Sequence, residues 1–554
     1  MVKYNEYKNL NYAKVGEDVL EFWKQNNIFE KSVATREGNK PFVFFEGPPS
    51  ANGTPGIHHV MARAVKDIFC RYKTLKGYQV NRKGGWDTHG LPVELQVEKE
   101  LGITKEDIGK KITVEEYNQR CRETVMRFKG QWDTLTEQMG YWVDLNNPYI
   151  TFENEYIESV WALLRRLYDK GFLYKGYTIQ PYSPGAGTGL SSHELNQPGC
   201  YKMVKDTTIV AQFEVKRITR NMFMFEHEEE KVYFLAWTTT PWTLPANTAL
   251  AVGKNIKYVK VRTYNPYTYE PISVILARDL VSRYFNPKAA DIPLTEYSSG
   301  DKLIPYKVVE EFEGRDLAGV EYHQLMPYVQ PDKPAFRVVV GDFVTTEDGT
   351  GIVHISPTFG ADDFRVAAQN DIPALLVMDE NGKPSPLVDK QGRFVKEVTD
   401  FAGMYVKNYD GQDESAADYK PTDVLIAIKL KEEGRAFKVE KYEHTYPHCW
   451  RTDMPVLYYP LDSWFIKTTA VKDRLIELNK TINWKPESTG TGRFGNWLEN
   501  LVDWNLSRSR YWGTPLPIWR TEDGEEEICI GSIAQLNDEI ARAVDAGVMD
   551  ASVE

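Results

Sequence analysis

The sequence predicts an α/β fold: a Rossmann-like parallel sheet, incomplete in this chain and interrupted by a large β-rich insertion. Three observations predict it. A short apolar strand, a Pro/Gly loop, an amphipathic helix and a second strand follow one another between residues 42 and 87. From about residue 200 the texture changes to β-branched and aromatic runs such as "TTIVAQFEV" and "KVYFLAWTT", and helical texture returns only past 460. At 554 residues the chain also exceeds what one core organises, roughly 250–300 residues, so several domains are expected.

Each element has its own signal. "FVFFEG" (42–47) is a strand ended by a Gly-Pro-Pro turn. From His58 on, Val60, Ala64, Ile68, Phe69, Tyr72 and Leu75 recur at helical spacing, and Gly77 is placed to stop the helix. "YQVNRKGGWD" (78–87) reads as the next strand, which completes a unit of parallel sheet covered by a helix. A capping box, Thr113 with Glu116, opens a helix predicted to run to about Gly140. Ile157, Val160, Trp161, Leu164 and Leu167 share one face of a helix over 155–170.

Composition narrows the function classes. The net charge of −12 predicts no general affinity for polyanions, so nucleic-acid contact must come from local basic patches such as "YKTLKGYQVNRKGG" (72–85) and "LLRRLYDKG" (163–171). Cysteines 70, 121, 200, 449 and 529 form no close pairs, which fits a reducing, cytoplasmic setting. No apolar run is long enough for a membrane span, and "MVKYNEYKNL" lacks the core of a signal peptide. A monomer without membrane contact is expected.

The stretch "GPPSANGTPGIHHVMARAVKD" (47–67) carries the first chemistry. A loop leading into a helix start offers free N–H groups and the positive end of the dipole to a phosphate. An imidazole there could bind the phosphate or stabilise charge developing on it, and His58 and His59 are the candidates. They could equally be polar residues on a helix start. Zinc is disfavoured, because no cysteine or acidic residue lies at ligand spacing nearby.

These residues resemble the nucleotide-binding half of class I aminoacyl-tRNA synthetases, where a Pro-x-x-Asn-Gly loop leads into a His-Ile-Gly-His helix start that holds ATP. "GWDTHGLPVEL" (85–95) is similar to the isoleucyl-tRNA synthetases. "AWTTTPWTLPANTALAV" (236–252) and "GTGIVHISPTFGADDF" (349–364) resemble the two walls of their editing pocket, and "DWNLSRSRYWGTPLPIW" (503–519) the return to the catalytic domain. The resemblance implies an N-terminal helical segment at 1–40 and the first part of the catalytic domain at 41–195. It further implies an inserted editing domain with its stalks at 196–450, a return at 451–519, and the start of a second small insertion at 520–554.

The same resemblance implies roles. Gly47 and Pro48 would line the amino-acid pocket and Asp87 would pair with the substrate ammonium. Asn52, Gly53, Gly56, His58 and His59 would hold ATP, which enters with Mg2+ as substrate. The family pattern has histidine at position 56 and glycine at position 58; here Gly56 and His58 have exchanged places, so His58 and His59 together are assigned to the phosphates. For editing, Thr238, Thr239 and Thr240 would orient the adenosine end and a water, His354 and Phe359 would shape the rejecting wall, and Asp363 would hold the α-ammonium. Direct water attack is expected, since no histidine–serine nucleophile pair suggests itself. The family often carries Cys-x-x-Cys pairs; here Ser183 and Ala186 stand in one, and Cys449 opposite Thr452 in the other, so zinc is not expected even with His444 and His448 nearby.

Partners implied are isoleucine, ATP and the tRNA for isoleucine. The family's Lys-Met-Ser-Lys-Ser loop and its Asp-x-Trp-x-Asp-Ser-Gly segment do not occur, and neither does an anticodon-binding helical domain, so the chain reads as an N-terminal fragment. Two alternatives stay open: a free-standing editing hydrolase acting on misacylated tRNA, and a valyl-tRNA synthetase. Against the second, an arginine would be expected near the third threonine of Trp237–Trp242.

Overall fold

A computed structural model describes residues 9–550 apart from Pro48, Asn381, Ser415, Ala417 and Asp418. The chain forms two compact units, one made of residues up to Tyr174 and from Phe465 onward, the other of Lys175–Trp464.

The first unit begins with α1 (Tyr12–Gln25), whose Asn11 cap accepts the Lys14 amide at 3.2 Å, and α2 (Ile28–Ala34). Then come β1 (Phe44–Phe45), α3 (Ile57–Leu75) and β2 (Arg82–Trp86). Next are α4 (Leu91–Leu101), α5 (Val114–Val125), α6 (Lys129–Gln138), β3 (Asp144–Ile150) and α7 (Asn154–Asp169). Strands β1, β2 and β3 form a parallel sheet in that order, with Phe44 opposite Arg82 and Gly85 opposite Tyr149. A Cβ on Gly85 would lie 2.1 Å from the Tyr149 ring, so only glycine lets the two strands approach there. Gly77 ends α3 with φ +88°, a conformation that suits glycine.

Two expectations change. The helix predicted from the capping box to Gly140 is two helices, α5 and α6. At the break the Phe128 amide donates to Ala51 O (3.1 Å), and one turn on the Trp132 indole donates to Gly53 O (2.8 Å). Docking on the loop at 51–53 outweighs helical continuity. In α3, the buried positions are Arg63, Cys70 and Thr74, whereas Ile57, Met61, Val65, Ile68, Phe69, Tyr72 and Leu75 are each more than half exposed. Of the apolar positions read at helical spacing, all but half-buried Val60 point to solvent.

The second unit contains β4 (Tyr201–Glu214), β5 (Val232–Thr238), β6 (Ala249–Val252), β7 (Lys257–Tyr264) and β8 (Pro271–Ala277). It continues with β9 (Lys307–Glu313), β10 (Arg337–Val340), β11 (Ile352–Ile355), α8 (Ala361–Gln369), α9 (Thr422–Glu432) and β12 (Ala436–Pro447). A six-stranded sheet runs β9-β7-β8-β5-β4-β12, and a three-stranded one β10-β6-β11. Ile209, Phe234 and Ile275 belong to one core, and their neighbours Val210, Leu235 and Leu276 to a second. Successive side chains alternate faces, so a sheet covered on both faces needs unbroken apolar runs, which is the texture seen from residue 200.

The chain returns to the first unit through α10 (Lys472–Asn479), α11 (Phe494–Glu499) and α12 (Ile533–Asp545). Trp512 on this return donates its indole N–H to Thr88 O at 2.5 Å, and Glu94 of α4 accepts the Tyr511 and Trp512 amides at 2.9 and 3.0 Å. All five cysteines are free and buried. Among the described residues no helix is long and apolar enough to cross a membrane.

Candidate active sites

At the start of α3, Gly56 is the N-cap, and its N–H donates to His59 Nδ1 at 2.9 Å. A histidine at N3 thus does the work usually given to a glutamate, turning its imidazole back onto the helix end. His59 packs edge-on against Trp132 at 4.6 Å, and burial, then the charges of His58 and Arg63, hold it below the ordinary histidine range. His58 is exposed, its ring 3.8 Å from that of His59.

His59 lines a cavity of about 420 Å³ together with Gly47, Gly53, Arg63, Lys66 and Trp132. Lys66 Nζ donates to the buried Glu46 Oε1 at 2.7 Å. Tyr141 donates to the same carboxylate, and the Tyr149 hydroxyl to Glu46 O at 2.6 Å. Arg63 donates to Thr136 Oγ1 (2.6 Å) beneath the Trp132 ring. Arg63, Lys66 and the His59 imidazole share one helix face, but the Glu46 carboxylate lines the same cavity and pairs with Lys66, which leaves the Arg63 guanidinium, among the described residues, as its unpaired charge. Sequence reasoning missed Arg63 and Lys66, although their spacing from His59, four and seven residues, is the signal that would have found them.

His58, Asn52, Gly56 and Asp87 are not among the residues lining this cavity. Asn52 accepts from the Ser50 hydroxyl (2.7 Å) and reaches Gln96 Oε1 at 3.4 Å. The Asp87 amide donates to Pro49 O at 3.0 Å, which fixes its loop beside residues 49–50. Burial by its surroundings raises its carboxyl, with the His89 amide offsetting. The side chain is exposed to solvent, which limits the shift. Pro48 lies outside the described residues.

The second unit brings its two motifs together. β5 ends in Thr238, which is buried and accepts the Thr240 amide at 3.1 Å; Thr239 and Thr240 are partly buried. A 3-10 turn, Pro241–Ala246, follows, and its Thr243 Oγ1 lies 3.0 Å from His354 Nε2 on β11. Trp242 meets Phe359 edge-on at 5.0 Å. Asp363, in the first turn of α8, accepts the Ser356 amide on Oδ2 at 2.8 Å. A Cβ on Gly360 would stand 2.6 Å from its carboxyl carbon, so glycine leaves that carboxylate its room.

Burial sets the electrostatics here. It pushes the Asp363 carboxyl up to about 7, against the Ser356 hydrogen bond, and pushes His354 down to about 4, so the imidazole is neutral at pH 7. His354 Nδ1, Ser356 Oγ, Thr358 Oγ1 and Trp242 Nε1 are buried without a partner. Such groups mark places where water or a ligand is wanted. Thr243 was not foreseen as a link between the walls.

His444 on β12 approaches Asp206 Oδ2 at 3.3 Å, and His448 Nδ1 lies 3.0 Å from Tyr446 O. Among the described residues no group of three or more His, Cys, Asp or Glu is placed to hold a metal ion.

Residues 18–550 match the family model described as tRNA synthetases class I (I, L, M and V), and the chain belongs to that family. Over its whole length it is 68% identical to the isoleucine–tRNA ligase of Cytophaga hutchinsonii, covering 50% of that protein. It is 61% identical to the isoleucine–tRNA ligase of Bacteroides fragilis, over 99% of this chain and 49% of the relative. The chain therefore spans about half the length of the curated relatives it matches. Among solved structures, LeuRS of Agrobacterium radiobacter K84 in a ternary complex with tRNA and LeuAMS overlaps 96% of this chain and 53% of that one, at 14% identity and a TM-score of 0.33. That overlap is too loose to carry an argument.

Proposed function

We propose that the chain supplies two sites of an isoleucine–tRNA ligase: part of the ATP and isoleucine site at 47–87, and a hydrolytic pocket at 238–363 that clears valine from mischarged tRNA. The observation that carries this reading is the Thr243–His354 contact at 3.0 Å, which brings two distant motifs together.

The chemistry of the pocket fits an aminoacyl ester. A desolvated carboxyl gains most from a cation, so an α-ammonium beside Asp363 keeps it ionised and is itself oriented. Water held by Thr239 and Thr240 attacks the ester carbonyl; the acyl C–O bond to the ribose breaks, releasing valine and the free tRNA end. Phe359 and neutral His354 narrow the wall against a larger side chain. A second sieve is needed because one methylene is worth only about 1–3 kcal/mol, a general value of which isoleucine against valine is itself the standard example.

In the first unit, Arg63, Lys66, His59 and the start of α3 suit the phosphates of ATP, which enters with its Mg2+, and His58 adds a second imidazole at the rim. Gly47 and Pro48 offer backbone to isoleucine and Asp87 a counter-charge to its ammonium. The reading carries with it the tRNA for isoleucine as partner, a cytoplasmic setting and a monomer. A hydrolase without activation chemistry is the second reading, favoured by the contrast between buried Thr238 and His354 and exposed His58 and Asp87.

Deacylation of valyl- and isoleucyl-tRNA for isoleucine is the test. The chain should hydrolyse the valyl ester slowly and spare the isoleucyl ester. Asp363→Ala leaves the ammonium without its buried partner, at a cost of about 2–5 kcal/mol, and should nearly abolish the reaction. His59→Ala should leave it intact. Equal loss from both substitutions would move the hydrolysis to the nucleotide site and end the editing assignment.

A further inference from the structure

The threonine wall is held from behind by buried charges that belong to neither motif. Asp423, in the first turn of α9 and 3% exposed, accepts the Trp242 amide on Oδ1 (2.9 Å) and the Lys407 ammonium on Oδ2 (3.0 Å). Lys407 donates also to Asp206 Oδ2 on β4 (2.9 Å) and stands 5.1 Å from the Tyr446 ring. The three charged groups line a cavity of about 620 Å³. Burial raises the Asp423 carboxyl while Lys407 opposes the rise; burial likewise disfavours the Lys407 charge, but Asp423, Tyr446 and Asp206 outweigh it and hold the ammonium above the ordinary lysine range.

The Trp242 amide needs a partner for a structural reason. Pro241 has no N–H, so Trp242 carries the first amide of the turn, and the first amides of a helical turn have no partner within it. Asp423 supplies one. Asp206 alone could neutralise Lys407, yet Lys407 also holds Asp423 Oδ2, and the other oxygen of that carboxylate takes the Trp242 amide.

We propose that Asp423, clamped by Lys407, is a positioning residue for the hydrolytic pocket and acts through the Trp242 amide. This rests on the editing reading above. The anchored turn directly follows Thr238–Thr240, carries Thr243 to His354, and sets the Trp242 indole against Phe359. Released from Asp423, the turn loses its fixed start, and the threonine hydroxyls lose their aim at the ester.

Two measurements on the whole chain keep this device separate from the reading it rests on: amide hydrogen exchange at 242–246, which needs no substrate, and valyl-tRNA deacylation. Asp423→Leu removes the acceptor, Asp423→Asn keeps a carbonyl oxygen for the amide but gives up the charge, and Lys407→Met removes the clamp. In Asp423→Leu, exchange at 242–246 should quicken about 10-fold or more while β5 and β11 keep their protection, and kcat should fall about 30-fold with KM within about twofold. Asp423→Asn should recover both to within about fivefold of the natural chain, with Lys407→Met between the two. Unchanged exchange at 242–246 in Asp423→Leu overturns the proposal. So does protection lost evenly over β4, β5 and β12, or an asparagine variant no better than leucine. If the natural chain does not deacylate valyl-tRNA, the editing reading falls, and the exchange measurement alone decides whether Asp423 holds the turn.

Discussion

The cavity beside α3 and the side-chain cluster between β5 and α8 contain similar chemistry at different depths of burial. Each has a histidine and a lined hollow or wall, and a carboxylate belongs to each motif. In the first, His58 is exposed, Asp87 keeps solvent access, and the cationic groups all come from one helix. In the second, His354 is buried, Asp363 is pushed up to about 7, and the groups come from two strands, a turn and a helix that brace one another. Charged and polar groups gain strength as water is excluded. A site assembled from several elements is therefore the one whose groups are held in place by the most contacts.

The largest expected effect lies at the open end of this comparison. With phosphate donors drawn from α3 alone, isoleucine-dependent ATP–pyrophosphate exchange by this chain should lie more than about 1000-fold below that of the full-length Cytophaga hutchinsonii relative. Exchange within tenfold would erase the contrast.

At the enclosed end, Thr243→Val removes the contact to His354 Nε2 and leaves both ring nitrogens without a partner. Deacylation should slow about 10-fold and stability fall by about 1–3 kcal/mol. A variant that keeps full rate would mean that the two walls are aligned by something else.

A smaller effect concerns pH. Folded, Asp363 holds its proton to about 7 against an ordinary value of 3.8, so between those values the folded chain binds more protons than the unfolded one. Stability from this group is therefore lost as pH rises through that window. Asp363→Asn, which does not titrate, should be more stable than the natural chain at pH 8 by about 1–2 kcal/mol after allowance for partial exposure, the gap closing toward pH 4. Urea unfolding at the two pH values checks the sign; a gap that widens on acidification would refute it.

The smallest effect is at the helix start. A Cβ at Gly56 would meet the His58 imidazole at 2.9 Å, so Gly56→His alone crowds that ring, and adding His58→Gly relieves it. The double variant should match the natural chain in stability to within about 0.5 kcal/mol. Its weak ATP affinity should change by less than about threefold, because His59 faces the cavity in both. A large gain in nucleotide binding would show that His58 obstructs the site.

Much of this was legible in the sequence, and what was not has physical reasons. The strand–loop–helix–strand run at 42–87 could be read because each element carries local punctuation. The break between α5 and α6 could not, since it is made by Phe128 and Trp132 reaching a loop nearly 80 residues earlier. Helix α9 was invisible because its buried positions, Thr422, Asp423, Ile426, Ala427 and Leu430, mix polar and apolar types and blur the helical period. Thr238, His354, Phe359 and Asp363 were singled out by the resemblance of their motifs, but the links between their elements are long-range: Thr243 to His354 and Trp242 to Asp423. The two adjacent histidines were read as a pair; the fold sends one into the cavity and leaves the other outside.

The exposed stripe on α3 has a consequence for how the molecule behaves in bulk. From Ile57 to Leu75 it runs about 27 Å along one side of the helix, with exposed Val43 and Phe45 adding to the apolar surface of the same unit. Isolated soluble proteins seldom leave so long an apolar rail wet, because every water along it is held at a cost that contact with any other greasy surface removes. The exposed side of this helix thus works against the net charge of −12, which keeps copies apart. At low concentration the charge keeps molecules separate; as they crowd, or as salt shortens the reach of that repulsion, the rail becomes one adhesive part of the surface.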